Sequence, residues 1–88
     1  MITKQYTILA AEGLHARPAT TLIKLAKQFK AATSLQKGDK TVKLNSMLNI
    51  LSLTLKGGDV ITIRIDGEDE QNAVEAMDVF FNEQLKNM

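Results

Sequence analysis

Alternating apolar and polar positions predict four short strands along the chain. The clearest pattern runs from Val60 to Ile65, where isoleucine occupies positions 61, 63 and 65. Weaker patterns of the same period predict three further strands, at Ile2–Leu9, Ala32–Gln36 and Lys40–Leu44. Gly38 and Asp39 lie between the last two segments and suit a tight turn, so these strands are expected to pair as an antiparallel hairpin.

The segment from Ala16 to about Gln28 has the three- and four-residue apolar spacing of a helix with one buried face. Its apolar stripe consists of Ala19, Leu22, Ile23, Ala26 and Phe29. Pro18 falls in the first turn, where the amide that proline lacks would have no intrahelical partner. The helix is therefore predicted to begin beside His15.

Two further helices are predicted in the second half of the chain. Ser46 precedes a short apolar helix from Met47 to about Leu53, and its hydroxyl is expected to cap that helix by accepting from a free amide. Asp69 is the expected cap of a third and longest helix, which extends almost to the C-terminus. The apolar stripe of this helix comprises Ala73, Met77, Phe80, Phe81 and Leu85.

The order of these elements predicts an α+β fold. Three amphipathic helices are available to cover one face of a four-stranded antiparallel sheet, and the alternating polar residues leave the other face to solvent. The expected architecture is an open-faced two-layer sandwich. Because no linker, repeat or low-complexity segment interrupts the pattern, residues 1–88 are predicted to form a single domain.

Composition and charge argue against several classes of partner. Eleven basic and ten acidic residues give a formal net charge of +1, which provides no strong field toward nucleic acid or anionic membranes. The absence of cysteine excludes disulfides and thiolate chemistry. The N-terminal segment is too polar for a signal peptide, and no apolar run approaches the ~20 residues of a membrane span. We therefore predict a cytoplasmic protein with no nucleic-acid or membrane partner.

The candidate chemistry centres on His15, the one histidine of the sequence. A helix N-terminus presents unpaired amides and a partial positive charge, so a phosphoryl group held there would meet donors already aimed at it. Imidazole titrates near neutrality and can act as a nucleophile, while Arg17 keeps its charge and can bind the added oxygens. A lone histidine at this position is also typical of a capping or surface residue, and the residues alone leave that alternative open.

The sequence GLHARPA at Gly13–Ala19 resembles the active-site signature of the HPr family, the histidine-containing phosphocarriers of the phosphoenolpyruvate-dependent sugar phosphotransferase system. The resemblance covers the whole chain, because Ser46 before an apolar turn, the acidic run at Gly67–Glu70 and the overall length also match that family. It implies an HPr-like fold and a carrier of phosphoryl groups, with no enzymatic turnover of its own.

The same resemblance implies a role for each residue of the signature. Enzyme I, charged by phosphoenolpyruvate, would phosphorylate His15 on Nδ1, and His15 would pass the group to enzyme IIA proteins or domains. Arg17 and the amides of Ala16 and Arg17 would bind the phosphoryl oxygens. No cofactor is expected, and no metal site, since one histidine without cysteine or paired acidic neighbours cannot complete a typical set of ligands.

Ser46 resembles the serine that HPr kinase/phosphorylase modifies in many Gram-positive bacteria. Asn45 and Asn49 depart from the pattern usual there, so a regulatory site and a plain helix cap remain equal alternatives. Some relatives of the family act mainly by binding a transcription regulator, but such relatives tend to lack the histidine. A generic α+β ligand-binding module with a capping histidine is the remaining alternative.

The resemblance also implies a docking face for partner proteins. Met47, Leu48 and Leu51 match the family's apolar patch, with core packing as the alternative for these residues. The predicted face also includes Thr20, Lys24 and Lys27; the two lysines lie on the polar side of the first helix, where they either steer acidic partners or are simply solvated. Flexible apolar side chains can repack against different partners, and we expect Met47 and Leu48 to point outward and Leu53 inward. Small transient contacts of this kind suit a monomer. Glu12 is close to the histidine in sequence and either tunes its protonation or faces solvent, which the sequence does not decide.

Overall fold

The structure is a computed structural model that describes residues 1–87. Four strands form one antiparallel sheet, namely β1 (Ile2–Thr7), β2 (Ala32–Lys37), β3 (Lys40–Lys43) and β4 (Val60–Asp66). Their spatial order is β1-β4-β2-β3. Gly38 and Asp39 close the β2–β3 hairpin, and Gly38 supplies the positive φ (59°) of its turn. The predicted sheet and hairpin are confirmed.

Three helices lie on one face of this sheet. They are α1 (Ala16–Ala26), α2 (Met47–Leu51) and α3 (Glu70–Val79). After α3 the chain continues through a π-helical turn, Phe80–Gln84, and a 3₁₀ turn, Leu85–Asn87. Helices α1 and α2 each end about two residues before the predicted boundary, because apolar spacing locates a buried face better than it locates a helix end. The predicted open-faced sandwich is confirmed.

The hydrophobic core fills the space between the sheet and the helices. Ile61, Ile63 and Ile65 of β4 are fully buried beneath them, whereas Val60 and Arg64 lie on the open face and are exposed. Phe81 stacks on the Tyr6 ring at 4.7 Å and meets Phe80 edge-on at 5.0 Å. Within residues 1–87, no helix combines the length and apolar character needed to cross a bilayer.

Two predicted helix caps are wrong in their chemistry. Ser46 and Asp69 occupy the expected N-cap positions, but neither side chain caps its helix with a hydrogen bond. The Asp69 carboxylate instead accepts from the amides of Lys30 and Ala31, both at 2.8 Å. It therefore joins the start of α3 to the loop between α1 and β2. The backbone of Ser46 is extended, with φ −147° and ψ 129°, and its hydroxyl reaches no free amide of α2.

Candidate functional site

His15 occupies the N-cap position of α1, at one end of the helical layer. Its backbone carbonyl accepts from the amide of Ala19 at 2.9 Å, the first hydrogen bond of the helix. Its side chain makes no capping hydrogen bond and is 42% exposed. The imidazole therefore does not serve as a cap and is accessible to another protein.

The loop before His15 is fixed by close backbone packing. Gly13 has φ +76°, and a Cβ at this position would lie 2.1 Å from the carbonyl oxygen of Leu55. The amide of Leu14 donates to that same oxygen at 3.2 Å, and the Leu14 side chain is buried. Only glycine fits here, since the conformation and the available space both exclude a side chain. No pattern in the sequence indicates this contact.

The amino end of α1 offers donors beside the imidazole. Ala16 and Arg17 are the first two helical residues, and Pro18 is the third and has no amide hydrogen. The amides of Ala16 and Arg17 thus precede the first intrahelical hydrogen bond and can bind an anion. Arg17 is exposed, and no carboxylate of residues 1–87 lies within ion-pair distance of its guanidinium. Two amides and one guanidinium are therefore free to bind added oxygens.

Glu12 lies beside the ring of His15. Its Oε2 atom is 3.6 Å from Nε2, and its side chain is 83% exposed. The sequence left open whether this carboxylate would approach the histidine, and the structure places it next to one particular ring nitrogen. Nδ1 remains the nitrogen that does not face the carboxylate.

Helix α2 contributes an exposed apolar patch, which consists of Met47, Leu48 and Leu51. Leu48 is 79% exposed and Met47 is 39% exposed, while Leu53 is buried, so the predicted orientations are confirmed. The Thr20 hydroxyl donates to the Ala16 carbonyl at 2.8 Å and also lies 3.4 Å from the Met47 sulfur. Thr20 thus connects the start of α1 with the patch.

The other residues of the predicted docking face lie further from the histidine. Lys24 is exposed in the last turn of α1, and Lys27 is exposed just after that helix. At a rise of ~1.5 Å per residue, Lys27 lies about 18 Å along the axis from His15. It lines a surface cavity of about 480 Å³ with Ala26 and Ala31. Lys27 is therefore at the opposite end of the helix from the imidazole.

Ser46 lies at the start of α2, next to the apolar patch. Its side chain is half-buried, and the neighbouring Asn45 is exposed. Because its hydroxyl makes no capping bond, the plain N-cap alternative does not describe its side chain. Ser46 and the patch thus lie at the start of α2, and Thr20 links the patch to the start of α1.

Comparisons with known proteins agree with this fold and identify a family. A family model described as "PTS HPr component phosphorylation site" matches residues 2–83. An HPr of Lysinibacillus sphaericus is 37% identical over 83 residues, which cover 94% of each chain. An HPr of Haemophilus influenzae is 41% identical over 75 residues, which cover 85% of this chain and 88% of that one. The solved histidine-containing phosphocarrier protein of Mycoplasma, 30% identical, has a TM-score of 0.89 and a coverage of 97% of each chain.

The fold and the site define a small carrier of phosphoryl groups. An accessible imidazole, the first two amides of α1 and the exposed Arg17 side chain all belong to the start of one helix, and Thr20 of that helix contacts Met47 of the apolar patch. The family match extends this from one motif to nearly the whole chain. The chain belongs to the HPr family and is a phosphocarrier of the phosphotransferase system.

Proposed function

We propose that Nδ1 of His15 is the atom that carries the phosphoryl group. The position of an exposed, non-capping imidazole at the amino end of α1 carries this proposal. In the forward step the Nδ1 lone pair attacks phosphorus on phosphorylated enzyme I, which phosphoenolpyruvate has charged. The bond between phosphorus and the donor nitrogen breaks, and its electron pair stays with the donor. The reverse chemistry delivers the group to enzyme IIA proteins or domains.

Arg17 and the first amides of α1 stabilise the transferred group in this proposal. The phosphoryl oxygens gain negative charge that the guanidinium can bind without losing its own proton. Charge-assisted hydrogen bonds of this kind contribute about 1.5–3 kcal/mol each. The amides of Ala16 and Arg17 add donors that the helix already holds in place.

We expect the chain to act as a carrier that its partners charge and discharge. The site brings one nucleophile and one fixed cation, so the partner must supply the rest of the reaction geometry. The apolar patch of Met47, Leu48 and Leu51 gives that partner a surface on which to dock. Lys24 and Lys27 add positive charge along α1 that can steer an acidic surface toward it. We place this relay in the cytoplasm, consistent with a sequence that contains no cysteine.

The proposed working form is a monomer, because the docking patch must be free for transient contacts. The alternative is a dimer, because an HPr of Thermoanaerobacter tengcongensis has been solved as one. That protein is 32% identical, with a TM-score of 0.75 and coverage of 83% of this chain and 84% of that one. Light scattering at micromolar concentration should give the mass of one chain. A stable dimer would contradict this part of the proposal.

Phosphorylation by enzyme I and phosphoenolpyruvate tests the proposal directly. Intact-mass spectrometry of the wild-type protein should show one added phosphoryl group that acid removes, as expected for phosphohistidine. The His15→Ala variant, which has lost the nucleophile, should show none. An unmodified wild-type protein in the presence of competent enzyme I would overturn the assignment of His15.

Ser46 supports a second, regulatory role. Its hydroxyl is not committed to capping and lies at the start of the helix that carries the patch. A phosphate there would add up to two negative charges and repel acidic partner surfaces. HPr kinase/phosphorylase and a transcription regulator are the partners such a modification would serve. The Ser46→Asp variant should slow phosphorylation of His15, whereas unchanged kinetics would contradict this role.

A further inference from the structure

The arrangement of Glu12 and His15 distinguishes the two nitrogens of the imidazole. Oε2 of Glu12 lies 3.6 Å from Nε2, and it is the only carboxylate within ion-pair distance of the ring among residues 1–87. A carboxylate accepts hydrogen bonds and cannot donate them when it is ionised. It therefore favours the ring forms in which Nε2 carries the proton.

The position of that proton decides which nitrogen can react. Neutral imidazole has one protonated nitrogen and one with a free lone pair, and a negative charge near one nitrogen favours the form that is protonated there. At 3.6 Å the Glu12 carboxylate acts on Nε2 through its charge and not through a hydrogen bond. A carboxylate beside Nε2 thus leaves the lone pair on Nδ1. This nitrogen is the one that the proposed function uses.

We propose that Glu12 is a positioning residue for phosphoryl transfer, because the charge of its carboxylate favours the imidazole form with its proton on Nε2 and thereby raises the fraction with Nδ1 free to attack phosphorus. This inference rests on the proposed role of His15. Glu12 does not touch the phosphoryl group, and its effect passes through the ring.

The carboxylate has a second effect after the group has been transferred. When Nδ1 bonds to phosphorus and the donor bond breaks, Nε2 keeps its proton and the ring gains positive charge. The negative charge of Glu12 stabilises this cationic ring. On the return step the bond between Nδ1 and phosphorus breaks, and the electron pair returns to a nitrogen whose ring has never lost its Nε2 proton. Glu12 therefore favours the phosphorylation of His15, while the Nε2 proton that the ring retains makes it a competent leaving group on the return step.

The exposure of the pair sets the size of the effect. Both side chains are substantially exposed, at 42% for His15 and 83% for Glu12, so water and salt screen their attraction. Exposed pairs of this kind change an equilibrium by about two- to fivefold. Replacement of Glu12 disturbs little packing for the same reason, which makes the test one of chemistry and not of folding.

Three variants distinguish the effect of the Glu12 charge from the effect of its side-chain shape and from the effect of net charge on the whole protein. Glu12→Gln removes the charge and keeps the shape of the side chain, while Glu12→Asp keeps the charge. Glu75→Gln removes an exposed glutamate of α3 that forms no ion pair within residues 1–87, and so serves as the matched control. All three should unfold at the wild-type temperature.

Two measurements on each variant decide the proposal. Nitrogen-15 spectra of the neutral imidazole in the unphosphorylated protein report which nitrogen carries the proton. The fraction protonated on Nδ1 should rise about two- to fivefold in Glu12→Gln and remain at the wild-type value in Glu75→Gln. The rate of phosphoryl transfer from enzyme I should fall by a similar factor at saturation with an unchanged KM. Glu12→Asp should restore part of both values.

The outcomes distinguish this inference from the function on which it rests. If the wild-type protein accepts no phosphoryl group on His15, the proposed function fails and Glu12 loses its role with it. If the wild-type protein is phosphorylated and Glu12→Gln matches it in either the proton distribution or the transfer rate, the inference about Glu12 alone is overturned. A response of equal size in Glu75→Gln would overturn it as well.

Discussion

Two regions of this small domain use their polar groups in opposite ways. Where β1 meets α3, Asp78 accepts from the Tyr6 hydroxyl and pairs with Lys4 at 2.9 Å, so each polar group has a partner within the chain. Burial above all, and then the contact with Asp78, raise the pKa of Tyr6, which keeps its hydroxyl protonated. At the His15 end, the guanidinium of Arg17 has no such partner within residues 1–87.

The difference shows how the domain combines a stable fold with a reactive site. The backbone that carries the site is fixed by close packing at Gly13 and by the first hydrogen bond of α1, and the one ion-pair contact of the His15 ring within residues 1–87 is the exposed Glu12 carboxylate. The hydrogen-bonding capacity of the site side chains is left for the phosphoryl group and for a partner protein. The contacts that stabilise the domain lie elsewhere, where they do not compete with transfer.

The largest effect is expected from Gly13→Ala, which attacks the backbone support of the site. An added Cβ would lie 2.1 Å from the Leu55 carbonyl oxygen, and a positive φ itself costs a non-glycine residue about 1–3 kcal/mol. We expect a loss of roughly 3 kcal/mol in the free energy of unfolding, measured by urea denaturation. Gly38→Ala is the matched control, because Gly38 has φ +59° and no atom within 4 Å of an added Cβ.

The two glycine variants together separate the cost of a positive φ from the cost of the clash between an added Cβ and the Leu55 carbonyl oxygen. Gly38→Ala should lower the free energy of unfolding by only about 1 kcal/mol, because it adds the cost of a positive φ without a steric clash. Equal losses in the two variants would show that the Leu55 carbonyl moves aside without cost. In that case the loop before His15 would be less tightly fixed than its packing indicates.

Arg17→Ala tests the reactive end without altering its support. The loss of one charge-assisted bond of about 1.5–3 kcal/mol corresponds to a transfer rate roughly 10- to 150-fold lower. The free energy of unfolding should stay at the wild-type value, because the side chain is exposed and has no partner within residues 1–87. Arg64→Ala removes an exposed arginine from the open face of the sheet and should leave the rate unchanged. A similar loss of rate in both variants would assign the effect to net charge.

Asp69→Asn tests a second stabilising contact, between the start of α3 and the loop between α1 and β2, through its pH dependence. Hydrogen bonds from the Lys30 amide, above all, and from Ala31 lower the pKa of Asp69 below its ordinary value of 3.8. A lowered pKa in the folded state means that the ionised carboxylate stabilises the fold above pH 3.8, and that this stability is lost as the pH falls through and below that value. The variant should unfold at a lower temperature than the wild type at pH 7.

The difference in unfolding temperature between Asp69→Asn and the wild type should become smaller as the pH falls toward 3. Thermal unfolding followed by circular dichroism at several pH values measures it. A constant difference across that range would show that the hydrogen-bond geometry matters and the charge does not. Glu68→Gln, which removes an exposed carboxylate from the preceding turn, is the control and should leave the pH dependence unchanged.

Much of this molecule could be predicted from its sequence, for physical reasons that differ from residue to residue. The β4 isoleucines follow a strict period of two, and His15 and Pro18 mark a helix start by local rules. Asp69 failed as a cap because a side-chain oxygen near a helix start shows that an acceptor exists but not which amide it will meet. Its partners are 38 and 39 residues away in sequence, where no local pattern indicates them.

The smallest effect is expected at Thr54, another position that the sequence did not single out. Thr54 has φ +50°, an unfavourable conformation for a β-branched residue, and its exposed side chain packs little. Glycine would relieve that strain but would increase the entropy of the unfolded chain. The free energy of unfolding of Thr54→Gly should therefore exceed that of the wild type by only about 1 kcal/mol in urea denaturation. The Thr54 carbonyl still accepts from Lys37 at 3.0 Å after the change. Thr41→Gly, in the extended strand β3, is the control and should lower the free energy of unfolding by about 1 kcal/mol. A lower free energy of unfolding in both variants would contradict the strain argument.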